Sequence, residues 1–465
     1  MRNALLTLVL LVAGPACAQT SNPFPEPIPT HDPIVVGVTD FAVLPDAGNE
    51  PTRMMTMVEE PVSGRFFVSG MRGRVFTLDR DGGSVTEYLD VDGPEWGVGV
   101  NSSGRERGVQ SFTLHPQFAE AGTPGYGRFY VWTDTGNTGP DPDFRPGGGN
   151  DSHDTVLLEW RAADASALAY DGGPPRELLR LEQPFGNHNG GQIAFNPGAG
   201  PGDADHGLLY VGVADGGSGG DPMGLSQNLG SVFGKILRID PLGSGSANGQ
   251  YGIPPGNPFV EVGGGALGEV YVLGVRNPQR FGWDVDTGML YVADIGQNAI
   301  EELSPAPPGA NLGWNLWEGS YGYVGRSGVS TRNPRGDPAM TYPVAEYAHG
   351  DPLLTNRAAS TGVHVYRGGP IEALRDLILF GDFPSGEIFA IDANDPPGGG
   401  NGGMRRVLLR PEGEEPTTLL NLVQARSAVL GREAPGRTDL RFGSAAEGRV
   451  FLTNKHDGMI RVLKP

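Results

Sequence analysis

The residues best suited to chemistry lie together in Asn187-His188-Asn189-Gly190-Gly191-Gln192, between an apolar run ending at Phe185 and the strand-like Ile193-Ala194-Phe195. Histidine takes up and releases a proton near neutral pH, and paired glycines let a backbone or a ligand come close. The stretch reads as an acid–base site with an exposed imidazole. A lone histidine such as His31, His115 or His206 more often serves a surface or a core, so His188 needs company.

Four other stretches supply it. Glu106-Arg107-Gly108 leads to Leu114-His115-Pro116, and Gly212-Val213-Ala214-Asp215-Gly216-Gly217 precedes Gly234-Lys235-Ile236-Leu237-Arg238-Ile239-Asp240-Pro241. Then come Gly274-Val275-Arg276-Asn277-Pro278-Gln279-Arg280-Phe281 and Asp294-Ile295-Gly296-Gln297-Asn298, the latter followed by Glu301-Glu302 and Asn311-Leu312-Gly313-Trp314-Asn315. An arginine such as Arg276 offers a planar set of donors that stays charged while a nearby oxygen gains electrons; a structural ion pair is the plainer alternative. Asp215 sits in a glycine-rich turn that either shapes a pocket floor or serves backbone geometry alone.

Taken together and in this order, the motifs resemble the glucose/sorbosone dehydrogenase family, which includes soluble quinoprotein glucose dehydrogenases and aldose sugar dehydrogenases. The resemblance runs from about Val35 to the C-terminus. It implies a six-bladed β-propeller that holds pyrroloquinoline quinone (PQQ) and calcium over a channel mouth. It also implies an enzyme that oxidises the anomeric carbon of an aldose to the lactone, with a small sugar as substrate and a soluble electron acceptor. Residue by residue, it makes His188 the general base and puts Arg276 and Asn277 against the cofactor. It assigns the backbone carbonyls of Gly296 and Gln297 to the active-site calcium, a hard cation that accepts such oxygens. Glu302 with the Leu312 carbonyl would serve a second, structural calcium; an exposed acid is the plainer reading of Glu302. Glu106 falls near substrate or cofactor, and Asn187 and Gln192 are placed to orient the ring or the substrate.

The departures are equally specific. The glucose dehydrogenases hold three cofactor carboxylates with a lysine near what is here Asp382–Gly386 and two arginines near Asp439–Phe442. This chain has Pro384 and Ser385 at the first place, and Leu440 with a single displaced Arg441 at the second. Each lost charge-assisted contact weakens binding by something like 1.5 to 3 kcal/mol. Arg357 is the candidate replacement.

The elements that must position these residues are strands. One signature, a small or polar residue before an apolar-aromatic core, recurs as Gly64-Arg65-Phe66-Phe67-Val68, Gly127-Arg128-Phe129-Tyr130-Val131, Gly207-Leu208-Leu209-Tyr210-Val211, Gly288-Met289-Leu290-Tyr291-Val292, Asp376-Leu377-Ile378-Leu379-Phe380 and Gly448-Arg449-Val450-Phe451-Leu452. Six copies predict an all-β, six-bladed propeller over residues 35–465, with long inserts at 134–154 and 318–357. A closed ring requires the C-terminal strand around Met459-Ile460-Arg461-Val462-Leu463 to pair with one near Val35. With 75 glycines and 41 prolines in 465 residues, and almost no helical periodicity, glycine and proline must serve turns between short strands.

Residues 1–18 read as a secretory signal: Arg2, the apolar Leu5–Val12 and an Ala16-Cys17-Ala18 cleavage site. Cleavage removes the sole cysteine, which leaves no disulfide and suits a bacterial periplasm. The apolar run is too short to span a bilayer, so no membrane insertion is expected. Residues 19–34 form a proline-rich extended lead-in. A net charge of −20 without a basic stripe argues against nucleic acid. Two other functions compete: a non-catalytic propeller binding a protein or glycan, and a calcium-dependent lactonase, which needs several acidic side chains on one ion. Oligomeric state leaves no trace in the sequence.

Overall fold

The computed structural model describes residues 19–150, 152–354, 357–445 and 447–465, so the signal-peptide segment lies outside the described residues. The recurrent signature forms the second strand of each of six four-stranded antiparallel sets. These second strands are Phe66–Gly70, Arg128–Thr135, Leu209–Val213, Leu290–Asp294, Leu377–Asp382 and Val450–Thr453. Their apolar runs are nearly continuous because both faces are covered. Phe66 meets Phe451 of one neighbouring set at 5.0 Å between ring centroids, while Phe67 stacks on Phe112 of the other at 5.8 Å. Such aromatic pairs add to the area they bury.

Two sets share one eight-stranded sheet, joined where Ile34–Val43 runs parallel to Arg405–Arg410. Ile34–Val43 also pairs antiparallel with Met459–Lys464, with Val38 opposite Leu463, so the two ends of the chain close on each other as ring closure requires. The single α-helix among the described residues, Leu419–Val429, is capped by Thr418, whose side chain accepts the Asn421 N–H. No helix among the described residues is long and apolar enough to cross a membrane.

The first strands adjoin around a cavity of about 730 Å³ lined by Met57, Thr113, Ala194, Phe281, Val363 and Ser444, one from each. The cavity runs toward the ends of these strands, whereas the sequence motifs lie at their beginnings. Two expectations need correction. The lead-in is not merely extended: Gln19–Thr20 pairs with Val329–Ser330, and buried Ile28 donates its N–H to Asp351. Likewise, the 318–357 insert is not all loop and contributes strands to two sheets. Trp317–Glu318, Tyr321–Tyr323 and Val329–Ser330 complete a small sheet with the lead-in, and Ala345–Ala348 is the fourth strand of a main set.

Candidate active site

His188 sits just before the strand Ile193–Phe195 with a positive φ of 56°. The glycines after it permit this turn: Gly190 has φ 102°, and a Cβ on Gly191 would come within 1.9 Å of the Pro278 carbonyl. The backbone N–H of His188 donates to Glu106 Oε2 at 2.8 Å, so Glu106 anchors the turn. The ring is buried, and its Nδ1 lies 2.6 Å from Asp215 Oδ1. Asp215 also accepts the Gly217 N–H at 2.9 Å and, on Oδ2, the Trp314 indole N–H at 2.9 Å. Burial pushes this carboxyl up, but the His188 ring and Arg276 outweigh burial and hold it below its ordinary value. A carboxylate can only accept, so Nδ1 carries a hydrogen, and a guanidinium can only donate, so the Nε2 that meets Arg276 offers a lone pair.

Arg276 Nη2 lies 3.0 Å from that Nε2. Its Nη1 donates to the Ile295 carbonyl at 2.8 Å, and its guanidinium carbon is 5.5 Å from the Trp314 ring centre. Asp294 receives the backbone N–H groups of Arg276 and Asn277 at 2.7 and 2.6 Å, and burial raises its carboxyl to about 7. The following loop is held by Glu318, whose Oε1 accepts the N–H groups of Gln297, Asn298, Ala299 and Ile300 at 2.8 to 3.1 Å. Gly296 is required there, because a Cβ would fall 1.6 Å from the Ile300 carbonyl.

Across the mouth lies a basic group. Arg441 is buried and donates to Thr361 Oγ1, the Leu440 carbonyl and Gln279 Oε1, at 3.0 to 3.1 Å. Its carbon is 4.0 Å from the Phe383 ring centre, with Arg437 at 5.2 Å and Lys455 Nζ at 5.4 Å from the same ring. Arg437 pairs with Asp439, and Arg280 donates to the Gln279 and Met55 carbonyls. Gln279 joins the two sides: its Nε2 donates to Gly190 O at 2.9 Å in the His188 turn.

The glucose/sorbosone dehydrogenase profile matches residues 49–398. The chain belongs to this family. The match is shorter at both ends than the resemblance in the motifs, and Arg437, Arg441 and Lys455 lie beyond it. HIPL1 protein of Arabidopsis thaliana is 29% identical over 382 residues, covering 72% of this chain and 52% of its own. Aldose sugar dehydrogenase YliI of Escherichia coli is 29% identical over 150 residues, 32% of this chain and 34% of its own. The chain spans about half the length of the HIPL relatives, 52% and 51%. Among solved structures, the PQQ-bound aldose sugar dehydrogenase of Streptomyces coelicolor aligns with TM-score 0.58 at 22% identity, over 92% of this chain and 98% of its own. The soluble aldose sugar dehydrogenase of E. coli aligns at 0.63 and 17%, over 92% and 99%.

The family's cofactor and metal can be tested against atoms left without partners. Arg276 Nε, Asn277 Oδ1 and Arg441 Nε are buried and unpaired. Among the described residues, the Gly296 and Gln297 carbonyls receive no hydrogen bond. Two free carbonyls beside an unpaired amide oxygen suit a hard cation, and buried arginines facing them suit an anionic ligand, so these residues fit the group.

Glu302 is buried rather than exposed. It accepts the Gly319 N–H and the Ser304 hydroxyl, and burial, then Asp294 and Glu346, raises it well above its ordinary value. Leu312 is buried with its N–H on Leu273 O. Two expected residues stand apart from the His188 ring. Gln192 accepts the Phe281 N–H and lines the cavity below. Arg357 is exposed on the rim. At the two positions where basic residues were expected, Ser385 closes a turn onto Asp382, and Leu440 is core. Sequence reasoning carried Asp294 and Trp314 only as members of motifs and missed Glu318, Phe383 and Lys455.

Proposed function

We propose that this protein is a PQQ- and calcium-dependent aldose sugar dehydrogenase, oxidising a small sugar at its anomeric carbon to the lactone and passing electrons to a soluble acceptor. The six four-stranded sets are the blades of a propeller formed by residues 35–465, and the chain is exported, to a periplasm, by its first 18 residues.

One observation carries the reading: a buried histidine with its Nε2 lone pair fixed by Asp215 and set beside Arg276. Bound here, PQQ would supply the hydride acceptor for the anomeric carbon and calcium the Lewis acidity that activates it. His188 Nε2 takes the proton of the anomeric hydroxyl. Asp215 holds the ring through Nδ1 and stabilises the imidazolium that results, while Trp314 holds Asp215. Arg276 keeps its charge beside the oxygen where negative charge grows. Asn277 with the Gly296 and Gln297 carbonyls would hold calcium and cofactor, and Glu302 with the Leu312 carbonyl a second calcium.

The test is calorimetric titration of metal-stripped protein with PQQ, with and without calcium, alongside dye reduction over a panel of aldoses. Calcium-dependent binding with turnover is expected. Binding without turnover on any aldose would favour a non-catalytic binding propeller, the reading to which Pro384 and Leu440 lend support. A lactonase is disfavoured, because no three His, Cys, Asp or Glu among the described residues are grouped to hold a metal ion.

A further inference from the structure

Lys455 lies in the turn Asn454-Lys455-His456-Asp457-Gly458, after the strand Val450–Thr453 and at the same end of the channel as His188. Its side chain is buried, with the residue only 7% exposed. Among the described residues, its ammonium makes one polar contact, to the thioether of Met71 at 3.5 Å. Among the described residues no carboxylate comes within ion-pair reach of it, and Asp439, which acts on it from farther off, is engaged by Arg437 and His456. Arg441, on the same Phe383 ring, has only neutral acceptors.

A buried ammonium kept for structure looks different, and the molecule contains one. Lys235 donates to the carbonyls of Leu225, Ser226 and Phe233 at 2.7 to 2.9 Å, using all three of its hydrogens. Lys455 has no such set. Placing an unpaired charge in a dry site is costly, and placing it next to Arg441 and Arg437 adds repulsion. Acids are not scarce, at 54 against 34 Lys and Arg. Four basic groups with one carboxylate among them, at the mouth, make a site that is complete only with an anion in it.

We propose that Lys455, with Arg441, binds the carboxylate groups of the cofactor and takes over from the basic residues that Pro384 and Leu440 replace. The assignment rests on the PQQ reading above. It replaces Arg357, which is exposed, with a residue already buried at the site. Gln279 gives the geometry: it hydrogen-bonds Arg441 and the His188 turn at once, so one planar ligand reaches both sides of the mouth.

The test compares PQQ with its trimethyl ester, which keeps the ring system and loses the charges. In the calcium-loaded protein, Lys455→Met should weaken PQQ binding by roughly ten- to a hundredfold, leave ester binding unchanged, and not lower the ligand-free melting temperature. Lys455→Arg should recover most of the PQQ affinity. Unchanged PQQ binding in Lys455→Met, equal weakening for both ligands, or a variant that melts lower or does not fold would each overturn the assignment. If the wild-type protein binds no PQQ at any calcium concentration, the cofactor reading falls and this assignment with it. If wild type binds and Lys455→Met binds equally, only this assignment falls.

Discussion

On the His188 side of the channel mouth, the carboxylates take their hydrogen bonds from the protein itself, while Arg276 Nε and Asn277 Oδ1 stay unpaired. Asp215 is shared between His188, Gly217 and Trp314, Asp294 takes two backbone N–H groups, and Glu318 takes four. On the Lys455 side, Arg437, His456 and Lys455 all act on the carboxylate of Asp439, and Arg280 and Arg441 add their charges beside Lys455. Networks satisfied from within hold reacting groups in place before any ligand arrives. A cluster of like charges does the opposite and stores a demand for a ligand. The two sides divide the work: one positions, the other attracts.

The largest effect should come from breaking the positioned side. His188→Ala removes the proton acceptor and should lower kcat for any accepted aldose by roughly 10²- to 10⁴-fold, with PQQ affinity by calorimetry within about twofold of wild type. A similar loss of PQQ affinity would mean that the ring serves the cofactor, and the contrast between the two sides would fail.

Next in size is the stability contrast between the buried lysines. Lys235→Met takes a donor from three buried carbonyls and orphans that of Phe233, since those of Leu225 and Ser226 keep the N–H groups of Asn228 and Gly274; a group so orphaned costs about 1 to 3 kcal/mol. A loss of about 1 to 3 kcal/mol in urea unfolding is expected there, against none or a gain for Lys455→Met. Equal losses in the two variants would make Lys455 a structural residue like Lys235.

Asp215→Asn tests the positioning itself. An amide in place of the carboxylate no longer fixes the Nδ1 hydrogen or stabilises the imidazolium, and kcat should fall roughly 10- to 100-fold. Trp314→Phe, which removes one donor to Asp215, should fall less than Asp215→Asn. A larger drop for Trp314→Phe would move the tryptophan from holding Asp215 to contacting substrate.

How much of this was readable from the chain differs between the two sides. The second strands were legible because burial on both faces demands continuous apolar runs, and a ring of sets repeats that demand. His188, Asp215 and Arg276 stood in motifs the sequence displays, and the structure brings the three together. Glu318 was not, since a carboxylate capping four N–H groups from 18 to 21 residues away leaves no local pattern. Nor was Lys455: Asn454 to Gly458 reads as an ordinary polar turn. Its burial is created by Phe383 and Arg441, which only the closed ring brings beside it. Gln192 misled for a related reason, because the glycine pair before it turns the backbone and sends the side chain down the channel.

The smallest effect is a pH dependence that isolates Lys455. Burial, with Arg441 adding to it, pushes this amine down to about 7, from an ordinary value near 10.5. Arg280 and Arg437 also lower it, Asp439 opposes them, and His456 faces it through Asp439. Between about pH 7 and 10.5 the unfolded chain holds a proton at this lysine that the folded protein does not, so stability rises with pH over that window. Below about 7 the lysine is charged in both states and the cost of burying it is fully present. Lys235, also pushed down to about 7 by burial, contributes the same slope to wild type and to Lys455→Met, and cancels in their difference. Without ligand, Lys455→Met should exceed wild type in stability most at about pH 6.5, and the gap should close by on the order of 1 kcal/mol per pH unit above 7. With PQQ bound, the anion keeps the lysine charged and the pH dependence of the gap should vanish below about pH 9. A gap that is flat with pH in the ligand-free protein would mean that the ammonium is already neutralised from within, and the two sides of the mouth would then be built alike.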